Sequence, residues 1–502
     1  MTGSGPVETK GTGTAAGNNG DADYAGSAGL GGANGATGTA GNPGRIVITY
    51  TYPKVYYSVG TSTADLRSGS PTITIASGTA TFSAAQPDNI GVGDKITYNT
   101  SSICYISART SSTVYTVVTA TGGTPADVTN QTVNSIKRTF NLISTAESSS
   151  TGASYLNTAD LVAGGYTLYW PCYNDGAMND AVTIDGYTTG SNRFIQIYTP
   201  TATTEVGASQ RHTGTAGTGF RLVPSTSSPG AAYALVGIYD NYVRVTGIEV
   251  DGSSVTNGQD LYGIALDTSV STTSDIRVSH NLVHDLTTSA GTDSVAIGIV
   301  VGGGNLKASN NVVYDITNTR DLATSYRAMG IRIAVASTTH YLYNNTVFDI
   351  KQTGVASGGV ANGIAQTNGT VTATNNVVFD VISTFNTESC FSGTITQSYN
   401  VSSDATASGT GSQTSKTSYT SYFVSTTDGS ENLHVLSNSY TLWGSYGTDL
   451  DSDANLPVTD DIDGVARDGV QPSIGADEYT ALTLKGSALQ LKGSALTLKG
   501  GT

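Results

Sequence analysis

The stretch NLVHD, from Asn281 to Asp285, decides the fold because close copies of it recur down the second half of the chain. The copies are NVVYD from Asn311, NTVFD from Asn345, NVVFD from Asn376 and NVSSD from Asn400, at spacings of 30, 34, 31 and 24 residues. A period of this length indicates stacked structural units, none of which can bury a hydrophobic core alone.

The pattern inside each copy predicts which kind of unit is stacked. Apolar residues two apart, such as Ile276 and Val278, precede the Asn, and Val283 follows it, which is typical of strand–turn–strand. A second signal recurs in step with the first: Gly263-Ile264, Gly298-Ile299, Gly330-Ile331 and Gly363-Ile364. Each unit therefore holds at least two short strands and two turns, and the repeat predicts a parallel β-solenoid with equivalent residues about 4.8 Å apart.

Stacking at that distance predicts a ladder of side-chain amides. Its members are Asn281, Asn311, Asn345, Asn376 and Asn400. Asn also tolerates the left-handed backbone that a turn between strands can need. An Asp follows each of them by four residues, at 285, 315, 349, 380 and 404. Because these Asp residues recur in every unit, we expect them to serve the repeat by accepting backbone N–H groups at a turn.

With these motifs the chain resembles the right-handed parallel β-helix repeat proteins, the group that includes pectate-lyase-like folds. The resemblance covers roughly residues 160 to 479, and its closing segment, Asp461 to Tyr479, is similar to the end of many secreted bacterial β-helix proteins. It implies an all-β chain with a right-handed parallel β-helix, and we expect about nine or ten coils. The fold hosts many functions, so the resemblance leaves the activity open.

Composition narrows the classes of partner. Of the 502 residues only 12% are charged, and the net charge is −15. That charge argues against binding nucleic acid or an anionic membrane surface, because both need basic patches. No apolar run is long enough to cross a membrane. The three cysteines, Cys104, Cys172 and Cys390, are scattered and predict buried free thiols.

Five segments are expected along the chain. Residues 1–52 are a Gly-rich segment ending in a strand, either a disordered linker or a compact domain, and the "GRIVITY" stretch resembles phage tail-fibre and other virion proteins in composition. Residues 53–132 predict a small antiparallel β barrel or sandwich. Residues 133–158 predict a capping helix, from Ser135 to about Glu147, and a linker. Residues 159–479 form the β-helix with its closing segment, and 480–502 an assembly tail.

The tail repeats a seven-residue unit with two leucines in each copy. The leucines are Leu482, Leu484, Leu489, Leu491, Leu496 and Leu498. A strand of about four residues followed by a turn buries little surface by itself. The tail therefore either assembles with other copies of the chain, as a homotrimer or a filament, or is a floppy extension.

One acidic stretch predicts a metal site. Asp449, Asp451 and Asp453 alternate, and Asp460 holds the twelfth position, which resembles an EF-hand calcium loop. The stretch departs from that pattern because Ala454 replaces the Gly of the sharp turn and no Glu closes the site. The stretch is therefore either a solvated acidic loop or a calcium site, and calcium is the one cofactor that the sequence suggests.

No catalytic motif stands out. Glu249 and Asp251 break the repeat, and they are the nearest candidates for a carboxylate pair that hydrolyses glycosides. Since the repeat is otherwise regular, we expect a non-enzymatic extracellular fibre or adhesin: a virion fibre or spike component, or a bacterial surface or filament protein. It would self-assemble and contact a cell-surface polysaccharide or another surface receptor. The alternative is a carbohydrate-active enzyme, a tail-spike-like lyase or glycoside hydrolase.

Overall fold

The computed structural model describes residues 52–227, 233–255, 260–289, 295–320, 327–354, 359–384, 387–436, 442, 444 and 446–479. The predictions for residues 1–51 and for the tail leucines Leu482, Leu484, Leu489, Leu491, Leu496 and Leu498 lie outside these residues. Nearly all of the described residues belong to one compact unit, which begins at Lys54.

Three parallel sheets wind into a solenoid, as predicted from the repeat. Sheet A has nine strands: β1 (Lys54–Tyr56), β8 (Thr167–Pro171), β10 (Ile195–Tyr198), β13 (Val243–Thr246), β16 (Asp275–Ser279), β19 (Asn305–Ser309), β22 (Thr339–Tyr343), β25 (Thr370–Thr374) and β28 (Ile395–Ser398). Sheet B has seven: β11 (Arg221–Leu222), β14 (Glu249–Asp251), β17 (Leu282–Thr288), β20 (Val312–Asn318), β23 (Thr346–Gln352), β26 (Val377–Ser383) and β29 (Val401–Ser402). Sheet C also has seven: β9 (Val182–Ile184), β12 (Ala234–Ile238), β15 (Leu261–Leu266), β18 (Val295–Val301), β21 (Arg327–Ile333), β24 (Val360–Gln366) and β27 (Glu388–Ser392).

The described strands form fewer coils than predicted. From β10 to β27 the chain visits sheets A, B and C in turn six times, and the four coils from Asp275 to Ser392 are the most regular. Before them, long connections replace strands, and between β8 and β9 the chain passes from sheet A to sheet C without a strand in sheet B. After Ser402 a partial coil follows, in which Gln413 pairs parallel with Val401 and Lys416 donates to Ser402, and the chain then leaves the stack. The length of the segment therefore overestimated the number of coils.

The repeat positions fill the interior of the solenoid. Ile276 and Val278 from sheet A, Val283 from sheet B and Ile299 from sheet C are fully buried in one continuous core. The register of sheet B places equivalent residues of successive coils next to one another: Val283, Val313, Val347 and Val378 pair in succession. Burying each such side chain contributes about 1.5–3 kcal/mol, so the stack stabilises coils that could not fold singly.

The Gly-Ile pairs have a steric cause. A Cβ added at Gly298 would lie 2.3 Å from Cγ1 of Val313 and 2.7 Å from the carbonyl oxygen of Gly330. Gly263, Gly330 and Gly363 face the corresponding valines of sheet B at similar distances. Glycine therefore recurs here because the interior has no room for a side chain.

A small barrel precedes most of the solenoid. Its strands are β2 (Thr72–Ala76), β3 (Thr79–Phe82), β4 (Lys95–Tyr98), β5 (Ser102–Arg109), β6 (Val114–Val118) and β7 (Val128–Lys137), and they close antiparallel in the order β2-β3-β6-β5-β4-β7. Of the two predicted forms, the structure is thus a barrel. Because β1 pairs parallel with β8, Lys54–Tyr56 belongs to the solenoid, and the barrel is inserted between the first two strands of sheet A.

The predicted helix starts too early in the sequence. Ser135 lies in strand β7, and helix α1 spans Ile143–Ser149, with a second short helix, α2, at Leu161–Gly164. Ile136 has the spacing of a helical face with Ile143, but its side chain fills the barrel core. Ile143 and Ala146 do turn inward, and α1 packs against β9 of the solenoid.

A buried ion pair joins the barrel to the solenoid. The guanidinium of Arg138 lies 2.8 Å from Asp94 of the barrel and 2.8 Å from Asp175, which follows β8. Its plane stacks over the ring of Tyr173, 3.6 Å from the centroid. These contacts fix one end of the solenoid against the barrel.

The C-terminal segment, described at residues 417–436, 442, 444 and 446–479, covers the outer face of sheet B. It contains helix α3 (Tyr419–Tyr422) and the hairpin β30 (Phe423–Ser425) and β31 (Asn432–Val435). Tyr422, Phe423 and Ile474 form a second core with Phe348 and Phe379, whose side chains point outward from sheet B. Arg467 is buried within the segment and donates to carbonyl oxygens of Gly475 and Ala476. No helix among the described residues is long and apolar enough to span a membrane.

Candidate functional site

The five ladder asparagines form one continuous chain of hydrogen bonds. Nδ2 of Asn311 donates to Oδ1 of Asn345 at 2.9 Å, and the other links, 281 to 311, 345 to 376 and 376 to 400, are 3.0 Å long. Each amide also donates to a carbonyl of a preceding coil, as Asn311 does to Val278 at 2.8 Å. All five side chains are fully buried. The ladder therefore satisfies polar groups inside the turn, which is a structural role.

The left-handed backbone lies one residue earlier than expected. His280, Asn310, Asn344, Asn375 and Tyr399, which each precede a ladder Asn, have φ between 53° and 58°. Asp285, Asp315, Asp349 and Asp380 have φ between 52° and 55°, so these Asp positions also carry left-handed backbone within strands of sheet B. Asp404 accepts N–H groups of Cys390 and Thr406, as predicted, whereas Asp285 and Asp349 contact the side chains of His284 and Lys351.

Glu249 and Asp251 belong to a buried cluster built around His284. Oε1 of Glu249 lies 3.3 Å from Nε2 of His284, and Oδ2 of Asp285 lies 2.6 Å from Nδ1. Burial disfavours the charged imidazole, but hydrogen bonds to Asp285 and Glu249 outweigh it and raise the pKa of His284 to about 9. The ring also stacks on Tyr314 at 4.9 Å. Glu249, Asp251, Asp285 and His284 thus form an internal ion cluster, in which ligand atoms of Glu249, Asp251 and His284 all lie within 4.8 Å of one another.

The two carboxylates predicted as catalytic candidates, Glu249 and Asp251, already have hydrogen-bond partners within the protein. The second oxygen of Glu249 accepts the N–H of Gly217 at 2.8 Å, and Asp251 accepts the N–H of Ser253 at 2.8 Å. Glu249 is fully buried and Asp251 is 7% exposed. A sugar would have to displace these bonds before it reached either carboxylate.

A row of carboxylates follows sheet B on its outer side, where the Asp repeat stacks. Asp285 and Asp315 share a hydrogen bond between their carboxyl groups; burial and this contact raise the pKa of Asp315 to about 7. The turn between β30 and β31 brings Asp428 to the row, and carboxylate oxygens of Asp315, Asp349 and Asp428 lie within 4.8 Å of one another. Glu431 adjoins Asp428 and Asp285.

The sequence missed this arrangement because Asp428 and Glu431 lie outside the repeat. Their stretch, Asp428-Gly429-Ser430-Glu431, reads only as a polar turn. The Asp row was visible as a period, but nothing local predicted that this turn would fold back onto it.

A third close group ties the closing segment to the hairpin. Nε2 of His434 lies 3.1 Å from Oδ2 of Asp463, and Asp477 accepts the N–H of Val435 at 2.8 Å. Burial lowers the pKa of His434, but the hydrogen bond to Asp463 and nearby carboxylates outweigh it, so the pKa is raised above its usual value. This group holds chain segments together.

The four Asp residues of the predicted calcium loop make contacts of their own with the protein. Asp449 accepts the N–H of Asp451, and Asp453 accepts those of Asn455 and Leu456, so each caps its own turn. Asp460 pairs with His280 at 3.1 Å. None of the three close groups of ligand side chains in the described part of the chain includes these four Asp residues.

Two open pockets lie on the surface of the described residues. One of about 360 Å³ lies beside α1, with Phe140 and Tyr155 as aromatic walls and Lys137 at its edge. The other, of about 130 Å³, lies on the outer side of sheet C between Tyr239 and Tyr262, next to Asp267 and Thr268. The second pocket is smaller than most sites that enclose a ligand, so it can hold only part of one.

Comparison with known proteins returned no matching family model, no matching curated protein and no matching solved structure.

Proposed function

We propose that the chain is a non-enzymatic adhesin or fibre protein of an extracellular surface, built on a pectate-lyase-like, right-handed β-helix. The observation that carries the proposal is the state of Glu249 and Asp251. The two carboxylates that break the repeat are buried and bonded to the protein itself. A glycosidase needs two carboxyl groups that both face the sugar, and these two instead stabilise sheet B.

The rest of the solenoid suits a rigid scaffold. The Asn ladder, the stacked apolar interior and the ion pairs of Arg138 connect each part to its neighbours. A scaffold of this kind can present a long, regular outer surface to a partner. Self-assembly through the tail leucines Leu482 to Leu498 remains part of the proposal.

The outer side of sheet C is the surface that we propose for ligand contact. Tyr239 and Tyr262 flank a shallow pocket, and aromatic rings pack well against the apolar face of a pyranose. Asp267 at its edge and the net charge of −15 favour a neutral sugar over an acidic one. The ligand class is thus a neutral cell-surface polysaccharide, bound without cleavage.

The test compares binding with turnover on a panel of neutral and acidic surface polysaccharides. We expect retention of a neutral polysaccharide with no release of reducing ends or unsaturated products. Tyr262→Ala should weaken binding about threefold to tenfold, as loss of one aromatic contact does, while Tyr341→Ala, on sheet A, should not change it. Release of product that disappears in Glu249→Gln would overturn the proposal in favour of the carbohydrate-active enzyme.

A further inference from the structure

A cluster of oxygen ligands lies between sheet B and the C-terminal hairpin. Asp315 and Asp349 occupy the same position in successive strands, so sheet spacing alone places their carboxylates near each other. Asp428 arrives from the turn between β30 and β31, and one oxygen from each of the three lies within 4.8 Å of the others. Two rigid strands and one turn therefore converge on one point.

Negative charge at this point exceeds positive charge. The carboxylates are those of Asp285, Asp315, Asp349, Asp428 and Glu431. The nearby cations in the described chain are His284, which is paired with Asp285, and Lys351, which lies 2.6 Å from Asp349. Asp315 shares a hydrogen bond with Asp285 and also interacts with Lys351, whereas Asp428 and Glu431 form no ion pair among the described residues. Like charges held this close are unfavourable unless a further cation binds.

Glu431 independently points to a missing ligand. The residue is 7% exposed, and backbone N–H groups of Gly429 and Glu431 donate to its carboxylate, but its Oε1 atom is buried without a donor in the described structure. The carboxylates of Glu431 and Asp285 both interact electrostatically with Tyr314, so the side chain of Glu431 lies on the same side of sheet B as the cluster. A buried carboxylate oxygen without a partner is costly, and a cation supplies what the protein does not.

We propose that a calcium ion binds here, with Asp315, Asp349 and Asp428 as ligands and Glu431 completing the site. The donors are all hard carboxylate oxygens, which is the ligand class of calcium and magnesium. Calcium tolerates irregular geometry, and a set of ligands drawn from two strands and one turn is irregular. The side chain of Lys351 is 31% exposed and also lies near Asp380, so its ammonium can move there when the ion binds.

The ion would fasten the hairpin β30–β31 to the solenoid. The C-terminal segment already packs on sheet B through Tyr422 and Phe423, and calcium would add a polar link beside that apolar core. This site is separate from the sugar pocket on sheet C, so its test is independent of the proposed function.

Calcium is titrated into the full chain in a calorimeter. Thermal unfolding of the chain is then measured with calcium, with and without a chelator. We expect one calcium to bind and to raise the unfolding temperature, and the chelator to reverse the rise. Asp428→Asn should weaken the affinity about tenfold or more, because calcium affinity follows ligand charge. Asp428 is exposed, so this variant should keep the fold, which circular dichroism checks.

A matched pair of variants separates this site from the acidic loop near residue 450. Asp451→Asn and Asp453→Asn remove the same charge from that loop and should leave calcium binding unchanged. If they abolish it while Asp428→Asn does not, the loop is the site and the assignment is wrong. No calcium response in the unmodified chain, or an equal response to magnesium, would also overturn it.

Discussion

We expect His340 to make the solenoid sensitive to acid. It stands five residues before Asn345, where the other coils carry Ile276, Leu306, Val371 and Ile395. The side chain is fully buried in the stack. Nδ1 accepts the N–H of Leu306 at 3.0 Å, so the proton of the neutral ring is on Nε2, which lies 2.6 Å from Oγ1 of Thr338. A second proton on the ring would break the first bond and place a charge in an apolar interior.

Burial lowers the pKa of His340 to about 4, against 6.5 in the unfolded chain. The unfolded state therefore takes up a proton as pH falls below 6.5, while the folded state does not until about pH 4. The contribution of the neutral ring to stability is present above pH 6.5 and is lost as pH falls from 6.5 to 4. The difference between the two pKa values corresponds to about 3 kcal/mol in full, of which about 2 kcal/mol is lost by pH 5.

The assay is urea unfolding at pH 7.5 and pH 5, with the free energy of unfolding compared between variants. We expect His340→Leu to lose about 2 kcal/mol less than the unmodified chain over this interval. At pH 7.5 it should be less stable, because the N–H of Leu306 loses its acceptor, at about 1–3 kcal/mol.

The control is Leu306→Val, at the equivalent position of the preceding coil. It removes one methylene, should cost about 0.5–1.5 kcal/mol at both pH values, and should leave the pH dependence unchanged. If His340→Leu and the unmodified chain show the same dependence on pH, then His340 is not held neutral and the reasoning fails.

Two further predictions concern the ladder and the tail. Asn376→Ala should destabilise the solenoid by about 3 kcal/mol or more, because it leaves the buried amide of Asn345 and the carbonyl of Leu342 without a partner. Asn368→Ala, on the surface, is the control. Equal losses of unfolding free energy for the two variants in denaturant would contradict a role for the ladder. Deleting Leu482 to Thr502 should leave the circular dichroism of the β-solenoid intact but abolish oligomers in light scattering, since two leucines per repeat need a partner strand; a monomeric full-length chain at micromolar concentration would refute this.

The sequence predicted those features of the fold that recur in every coil. A period near 32 residues, alternation around Asn311 and the Gly-Ile pairs are local patterns whose meaning is the same in every coil, because each coil meets the same neighbours. The solenoid, its interior positions and the asparagine ladder follow from that regularity. The closed barrel was partly predictable from the sequence, because its first hairpin, Thr72–Phe82, shows alternating residues around a Ser-Gly turn.

Outside the repeat, local sequence patterns predicted the secondary structure and the number of coils poorly. Ile136 fits a helix by spacing, yet it lies on a strand, because closing the barrel buries it and burial outweighs helical spacing. The number of coils could not be read from length, because the described residues beyond Lys416 leave the stack although their sequence is as polar and β-prone as a coil.

The candidate site depended mainly on tertiary structure. Asp315 and Asp349 are 34 residues apart and belong to the repeat, whereas Asp428 comes from a turn beyond its end. The sequence by itself determined that the Asp residues would stack, since sheet register requires it. Only the folding of the C-terminal segment onto sheet B decided that Asp428 and Glu431 would meet them. That contact is set by the apolar packing of Tyr422 and Phe423 against Phe348 and Phe379, a long-range match of surfaces that no local pattern encodes.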